Sequence, residues 1–133
     1  MSLVTPDRPM EQRLRVLRRA YADQLPHRIA QLERSLEDLD ADNRRQTLRS
    51  LRLMAHSLAG SGAIFGFSQL SERARELADA VARVEPEPFA APGEKARLAR
   101  YVATLREAGS PGRDWEEEAE EDDGALEFER STS

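Results

Sequence analysis

Residues 48–67 read LRSLRLMAHSLAGSGAIFGF and carry the clearest helical pattern of the chain. Apolar or small residues recur at intervals of three and four, which places them in one stripe along a helix of 3.6 residues per turn. The stripe consists of Leu48, Leu51, Ala55, Leu58 and Gly62. We expect this helix to begin after Asp42, a suitable N-cap, and to end near Phe65-Gly66, where glycine can adopt the left-handed conformation.

A longer stripe of the same spacing precedes this helix. Its members are Leu14, Leu17, Tyr21, Leu25, Ile29, Leu32, Leu36 and Leu39. Pro26 falls inside the pattern, and a proline there removes one backbone hydrogen bond and crowds the preceding turn. We therefore expect a kink or a restart of the helix near Asp23 to Pro26.

Two shorter stripes follow residue 67. In the first, Ser68 is the expected N-cap and the apolar positions are Leu70, Ala74, Leu77 and Val81. A proline-containing loop is expected from Val84 to Gly93. The last stripe consists of Leu98, Val102 and Leu105, and Gly109 is expected to end it.

Four amphipathic helices joined by short connections bury their apolar faces most simply in an antiparallel up-and-down bundle. We therefore predict an all-α four-helix bundle over residues 10–109. An extra N-terminal helical segment, Met10 to Arg19, is expected to pack over one end of it. Residues 1–9 form an N-terminal extension, and residues 110–133 a disordered acidic tail.

The composition excludes several classes of function. A chain of 133 residues fits one domain, and the absence of cysteine excludes disulfides, thiolate metal sites and a cysteine nucleophile. No run of about 18 apolar residues exists, so no membrane span or membrane partner is expected. The start of the chain lacks the layout of a signal peptide, which favours a cytoplasmic location.

The net charge of −5 is unevenly distributed along the chain. Residues 1–113 have a net charge of +4, whereas residues 114–133 contain ten acidic residues and only Arg130, a net charge of −9. A charge of +4 spread over several helices, without interleaved aromatics, argues against a nucleic-acid partner. The acidic tail is either a solubilising segment or one that folds back on the basic body, with Trp115, Leu126 and Phe128 as apolar anchors.

His56 is one of only two histidines and lies one residue away from the stripe of its helix. Ala59, Gly60 and Ala63 share its face on the C-terminal side, and Arg49 and Arg52 share it on the N-terminal side. A glycine inside a helix costs about 0.5–1 kcal/mol relative to alanine. We interpret the small residues as leaving the imidazole uncovered for another protein, with the two arginines offering charge to an anion.

An open imidazole that is neutral at cellular pH has a free lone pair on one ring nitrogen. No neighbouring base, metal or pocket is evident in the pattern. Accepting a phosphoryl group from a partner and passing it on suits such a histidine. The chain contains no ATP-binding signature of a kinase, so we expect a phosphocarrier and not an enzyme.

The segment Ala55-His56-Ser57-Leu58-Ala59-Gly60-Ser61-Gly62, followed by Phe65-Gly66 and Leu70-Ser71, resembles the histidine-containing phosphotransfer (HPt) domain family. The family motif is His-x-Leu-Lys-Gly-Ser, followed by a glycine and a helix rich in Leu and Ser. The resemblance extends from about Leu14 to Val84 and includes Tyr21 and Leu25-Pro26. It implies a four-helix bundle in which His56 is the phosphoacceptor, Gly60 keeps its surroundings open and Leu58 belongs to the core.

The resemblance also implies the partners. They are the receiver domain of a response regulator and a histidine kinase or hybrid kinase, in two-component signalling. No cofactor is expected, because Mg²⁺ would belong to the receiver domain, and we expect a monomer. Ala59 stands where the family has lysine, so Arg52, Arg73 or Arg75 is the expected substitute for its charge.

Other interpretations of the same residues remain open. One is an HPt-like adaptor that binds a response regulator without transferring phosphate, and another is a helical binder of nucleic acid or acidic protein. His27 has no small residues around it and is expected to be structural or simply exposed. A zinc site of His27, His56 and carboxylates lacks the close ligand spacing of structural zinc. Met54, Phe65 and Phe67 are expected to be packing residues, and Ser57 and Ser61 small polar fillers.

Overall fold

The computed structural model describes residues 7–109, with side chains from residue 9 onward. This part forms four helices: α1 (Asp7–Glu37), α2 (Arg44–Ile64), α3 (Ser68–Val84) and α4 (Glu94–Ala108). Each helix packs on its neighbours in chain order, and α4 also packs on α1. The predicted all-α four-helix bundle is confirmed for these residues. The predicted acidic tail and most of the predicted N-terminal extension lie outside them.

The core is formed by one apolar stripe from each helix. Its largest fully buried side chains are Leu25, Leu32, Leu48, Leu51, Leu70, Leu77, Leu105 and Val81. Burial of one such side chain contributes about 1.5–3 kcal/mol relative to exposure. All of them belong to the four stripes that the spacing predicts, so the periodicity of the sequence is sufficient to identify the centre of the core.

Helix α1 continues through Pro26 without a restart, so the expected restart is wrong. Pro26 is exposed, whereas Leu25 and Ile29 on either side of it are 1% and 3% exposed. A proline inside a helix costs about 3 kcal/mol, which is comparable with the contribution of one or two buried leucine-sized side chains. Packing on both sides of Pro26 therefore holds the helix together.

The segment from Met10 to Arg19 is the first part of α1 and does not form a separate element. The predicted extra N-terminal segment is confirmed as helix, but its apolar side chains are not buried: Met10, Leu14 and Leu17 are 69%, 37% and 52% exposed. The reason is length: α1 has 31 residues, whereas α2, α3 and α4 have 21, 17 and 15. Arg18 does lie at one end of the bundle, because a Cβ atom built on Gly66 would be 3.7 Å from its Nε. We call residues 9–20 of α1 the overhang.

The loop between α1 and α2 is closed by side-chain hydrogen bonds. The backbone N–H of Asp40 donates to Asn43 Oδ1 (2.8 Å), and the backbone N–H of Asn43 donates to Asp40 Oδ1 (2.9 Å). Asn43, not Asp42, is the residue before α2, so the predicted N-cap is wrong by one position. At the other end of α2, Gly66 has a φ of 82°, as the predicted left-handed closure requires.

A buried ion pair joins α2 to α4 at the end of the bundle where both helices begin. Arg44 Nη2 lies 2.6 Å from Glu94 Oε1, with side chains 8% and 3% exposed. The guanidinium also donates to the backbone carbonyls of Val84 (2.9 Å) and Glu87 (2.5 Å). Hydrogen bonding to Glu94 raises the pKa of Arg44. This network attaches the loop between α3 and α4 to the start of α2.

Candidate functional site

His56 lies near the middle of α2 and is exposed. Ala55 and Leu58, on either side of it in sequence, are 0% and 2% exposed and belong to the core. Successive helical residues are rotated by about 100° about the helix axis. Because Ala55 and Leu58 face the core, the position of His56 faces away from it. The histidine therefore occupies the boundary position that the sequence pattern predicts for it.

The surface beside His56 is open on its C-terminal side. Gly60 is exposed, and a Cβ atom built on it would meet no atom within 4 Å. Ala63, one turn further along, is also exposed. Ala59 differs, because it is only 4% exposed, and its carbonyl accepts a hydrogen bond from Ser71 Oγ of α3 (2.7 Å). The open surface is thus formed by Gly60 and Ala63, whereas Ala59 faces α3.

The candidate cations on α2 have different surroundings. Arg52 is half-buried, and its Nε lies 2.5 Å from Glu85 Oε2 at the end of α3. The guanidinium of Arg52 is therefore already paired with a carboxylate and helps to hold α2 against α3. Arg49 is exposed, one helical turn further from His56.

The two arginines of α3 named as substitutes for a lysine also differ. Arg73 lies 3.1 Å from Glu76 on the same helix, in an exposed ion pair. Arg75 is exposed. Arg52 and Arg73 are therefore each paired with a carboxylate of their own.

A groove of about 290 Å³ runs between α1 and α2 next to the histidine. It is lined by Arg28, Gln31, Leu32, Leu53, Met54, Ser57 and Leu58. Ser57 is adjacent to His56 in sequence, and Leu53 lies one turn before it on α2. Arg28 comes from α1, so sequence reasoning about α2 alone did not identify it. The groove thus brings Arg28 of α1 together with Ser57, the residue that follows His56 on α2.

Ser61 has a structural role that the sequence interpretation missed. Its Oγ lies 2.6 Å from the hydroxyl oxygen of Tyr21, and Arg28 Nη1 donates to the same Oγ (3.4 Å). The prediction that Ser61 is only a polar filler is wrong, because it hydrogen bonds to a buried tyrosine of α1. The Phe65 ring stacks on Tyr21 with the centroids 4.8 Å apart, and the Phe67 ring packs against Tyr21 in a tilted arrangement at 5.4 Å. These contacts confirm the predicted packing role of Phe65 and Phe67.

Two exposed apolar side chains flank the open surface on α2. Leu53 is 52% exposed and Ile64 is 73% exposed. Together with Gly60 they follow the spacing of one helical face, which passes beside His56. Apolar groups around an accessible polar residue are a common feature of protein docking surfaces.

His27, the other histidine, is exposed on α1, in agreement with one of the two alternatives expected for it.

No group of three or more His, Asp or Glu side chains within residues 7–109 is arranged to hold a metal ion. None of the four helices is long and apolar enough to cross a membrane.

Comparison with known proteins gives one match. The family model of the Hpt domain matches residues 16–108, which is most of the chain and includes all of α2, α3 and α4. Neither the curated proteins nor the solved structures contain a significant match. The matched range begins within the overhang and ends at the last residue of α4. A match of this extent, on a four-helix bundle with an exposed histidine, shows that the chain belongs to the Hpt domain family.

Proposed function

We propose that His56 accepts a phosphoryl group from a receiver-domain aspartate, or from a hybrid histidine kinase, and passes it to a response regulator. Hpt domains act in histidine phosphotransfer, in phosphorelays with receiver domains and kinases. The observation that carries the proposal is the exposed position of His56 beside the open surface of Gly60, within a chain of this family.

The chemistry requires no group beyond the imidazole on this chain. The lone pair of an unprotonated ring nitrogen of His56 attacks the phosphorus atom of an aspartyl phosphate, and a nitrogen–phosphorus bond forms. The bond between phosphorus and the aspartate oxygen breaks, and the carboxylate leaves with the electron pair. The imidazole then loses its remaining ring proton to solvent, and the reverse sequence delivers the phosphoryl group to the next aspartate. Any Mg²⁺ that the reaction uses would be held by the partner receiver domain and not by residues of this chain.

The surroundings of His56 support access by a folded partner. The missing side chain at Gly60 leaves room for the backbone of another protein to approach the imidazole. Leu53 and Ile64 provide apolar contact area on the same helix. Arg49 and Arg52 are the proposed supporting cations, and Arg52 reaches a phosphoryl group only by exchanging its carboxylate partner Glu85.

One observation favours a second candidate, an adaptor that binds a response regulator without phosphotransfer. The position of the family's lysine is occupied by Ala59, which is buried against α3 and brings no charge to the site. A phosphoryl group on His56 would then have weaker local neutralisation than the family motif provides. Binding of a receiver domain does not require that charge.

Transfer of radiolabelled phosphate from a phosphorylated receiver domain separates the two candidates. Phosphotransfer predicts a label on this chain that is labile in acid, stable in base and absent from His56→Gln. His27→Gln is the matched control and retains the label, because His27 is also exposed but lies on α1. Complex formation without any label on the chain supports the adaptor. A label that persists in His56→Gln contradicts the proposed role of His56.

A further inference from the structure

The overhang of α1 has an apolar face with no described partner element. Met10, Leu14 and Leu17 are spaced by four and three residues, and their stripe continues into Tyr21 and Leu25 of the core. Within the bundle this face of α1 is buried, whereas Met10, Leu14 and Leu17 are between 37% and 69% exposed. The same apolar pattern that builds the core therefore continues into the overhang, where its apolar side chains are exposed.

The overhang also has an excess of positive charge. Residues 9–20 contain four arginines and one glutamate, a net charge of +3. The arginines are Arg13, Arg15, Arg18 and Arg19. A ligand for this surface therefore needs apolar side chains together with negative charge.

The end of α4 lies nearer the overhang than its beginning does. Lys95, near the start of α4, donates to the carbonyl of Glu37 at the end of α1, so the two helices are antiparallel. A Cβ atom built on Gly109, after the last residue of α4, would lie 3.0 Å from Ile29 Cδ1. Gly109, the last described residue, therefore lies beside Ile29 and nearer the start of α1 than the beginning of α4 does.

The remaining length of chain is sufficient to reach the overhang. Ile29 and Met10 are separated by a helical rise of about 28 Å, at 1.5 Å per residue. The segment 110–133 contains 24 residues and can extend over roughly 80 Å. Even a helical conformation of this segment, about 36 Å long, would reach Met10.

The chemistry of the C-terminal segment matches that of the overhang. Residues 114–123 contain eight acidic residues and no basic one, together with Trp115. Leu126 and Phe128 follow as further apolar residues. A second copy of the chain would instead place one surface of charge +3 against another, which is unfavourable.

We propose that residues 114–128 dock in cis on the overhang. Trp115, Leu126 and Phe128 cover the apolar stripe of Met10, Leu14 and Leu17, and the acidic run lies along the arginines. The segment thereby supplies α1 with the partner that the three other helices do not provide. This inference concerns a surface distinct from His56 and stands independently of phosphotransfer.

Trp115 is the only tryptophan and reports directly on this contact in the full-length chain. Docking predicts a blue-shifted emission and protection from acrylamide quenching, both lost in Leu14→Gln/Leu17→Gln. Leu53→Gln is the matched control, because Leu53 and Leu17 are both 52% exposed but lie on different surfaces. It is expected to leave the emission of Trp115 unchanged. Circular dichroism of each variant establishes that the bundle is folded.

Three results would overturn the proposal. The first is a Trp115 that is as accessible in the full-length chain as in the urea-unfolded chain. The second is protection that persists in Leu14→Gln/Leu17→Gln. The third is protection that increases with protein concentration, which would assign the surface to a second copy. Protection that weakens at about 1 M NaCl, where the Debye length is about 3 Å, supports the charge contribution.

Discussion

The hydroxyl oxygens of Tyr21 and Ser61 lie 2.6 Å apart and connect α1 to the end of α2, across 40 residues of sequence. Tyr21 is 4% exposed and stacks on Phe65, so its hydroxyl has little access to water. A buried hydroxyl requires a hydrogen-bond partner. Ser61 provides that partner five residues after His56, and the bond therefore positions the α2 segment that carries the histidine.

The cost of losing this hydrogen bond is expected to depend on which of the two hydroxyl groups is removed. Ser61→Ala leaves the buried Tyr21 hydroxyl without its partner and should lower the free energy of unfolding by about 1–3 kcal/mol. Tyr21→Phe removes the buried hydroxyl itself, so no buried polar group is left without a partner on Tyr21. It should therefore cost less, about 0.5–1.5 kcal/mol. Urea denaturation of both variants and of the double variant gives the coupling free energy between the two side chains. Strict additivity of the two changes would contradict a direct bond between the side chains.

The two glycines of α2 that follow His56 are expected to differ in role. A side chain at Gly60 enters open space, whereas a Cβ at Gly62 already lies 3.4 Å from backbone atoms of Phe67 and Ser71. Gly60→Leu should therefore retain or increase stability, by up to about 1 kcal/mol, while it slows phosphotransfer by covering His56. Gly62→Leu should destabilise by about 1–3 kcal/mol.

Thermal unfolding and the phosphotransfer rate are to be measured on both leucine variants. A Gly60→Leu protein that transfers phosphate at the normal rate would show that access past Gly60 is not required. Gly60→Gln is a polar version of the same test and is also expected to block transfer with unchanged helix content.

The stability of the bundle is expected to fall when one partner of the Arg44–Glu94 pair is removed. Glu94→Leu leaves a buried guanidinium without its carboxylate and should cost about 3–5 kcal/mol. The double variant Arg44→Met/Glu94→Leu should recover part of this loss, because neither charge is then buried. Recovery is incomplete, since the carbonyls of Val84 and Glu87 lose their donor. Chemical denaturation of the wild type and of both variants gives the free energies of unfolding to be compared.

An exposed ion pair provides the control for this prediction. Arg73 and Glu76 are 47% and 48% exposed, and such pairs contribute about 0–1 kcal/mol. Arg73→Met should therefore change the free energy of unfolding only slightly. Equal losses in Arg73→Met and Glu94→Leu would show that burial does not determine the strength of these pairs.

The pH dependence of stability is expected to include a contribution from Glu33. Hydrogen bonding from Arg106 lowers the pKa of the Glu33 carboxyl below its usual value. A lowered pKa in the folded state stabilises the fold above the pKa of the unfolded chain, and this contribution is lost as the pH falls through the folded pKa. Glu33→Gln should therefore have a lower denaturation midpoint than the wild type at neutral pH.

The difference between Glu33→Gln and the wild type should disappear in acid, where the carboxyl of Glu33 is protonated. Denaturation midpoints measured from neutral to acidic pH give this comparison directly. Glu107→Gln, a change of the same kind at an exposed residue of α4, is the control. A difference that stays constant with pH would exclude an ionised Glu33 as its cause.

The sequence by itself determined the four helices, the core residues and the boundary position of His56. These features follow from local spacing, because a period of three to four apolar residues defines one face of a helix wherever it occurs. The expected restart at Pro26 does not occur, because local propensity does not include the packing of Leu25 and Ile29 on either side of it.

Only the tertiary structure decided which side chains meet across helices. Tyr21 with Ser61, Arg44 with Glu94 and Arg52 with Glu85 are all separated by more than 30 residues. Such pairs depend on how far one packed helix is shifted along its axis and rotated relative to the next. The spacing of residues within one helix gives no information on either quantity. The same rotation buries Ala59 against α3 and leaves Gly60 open beside His56. Periodicity thus identified the histidine, and helix packing determined its neighbours.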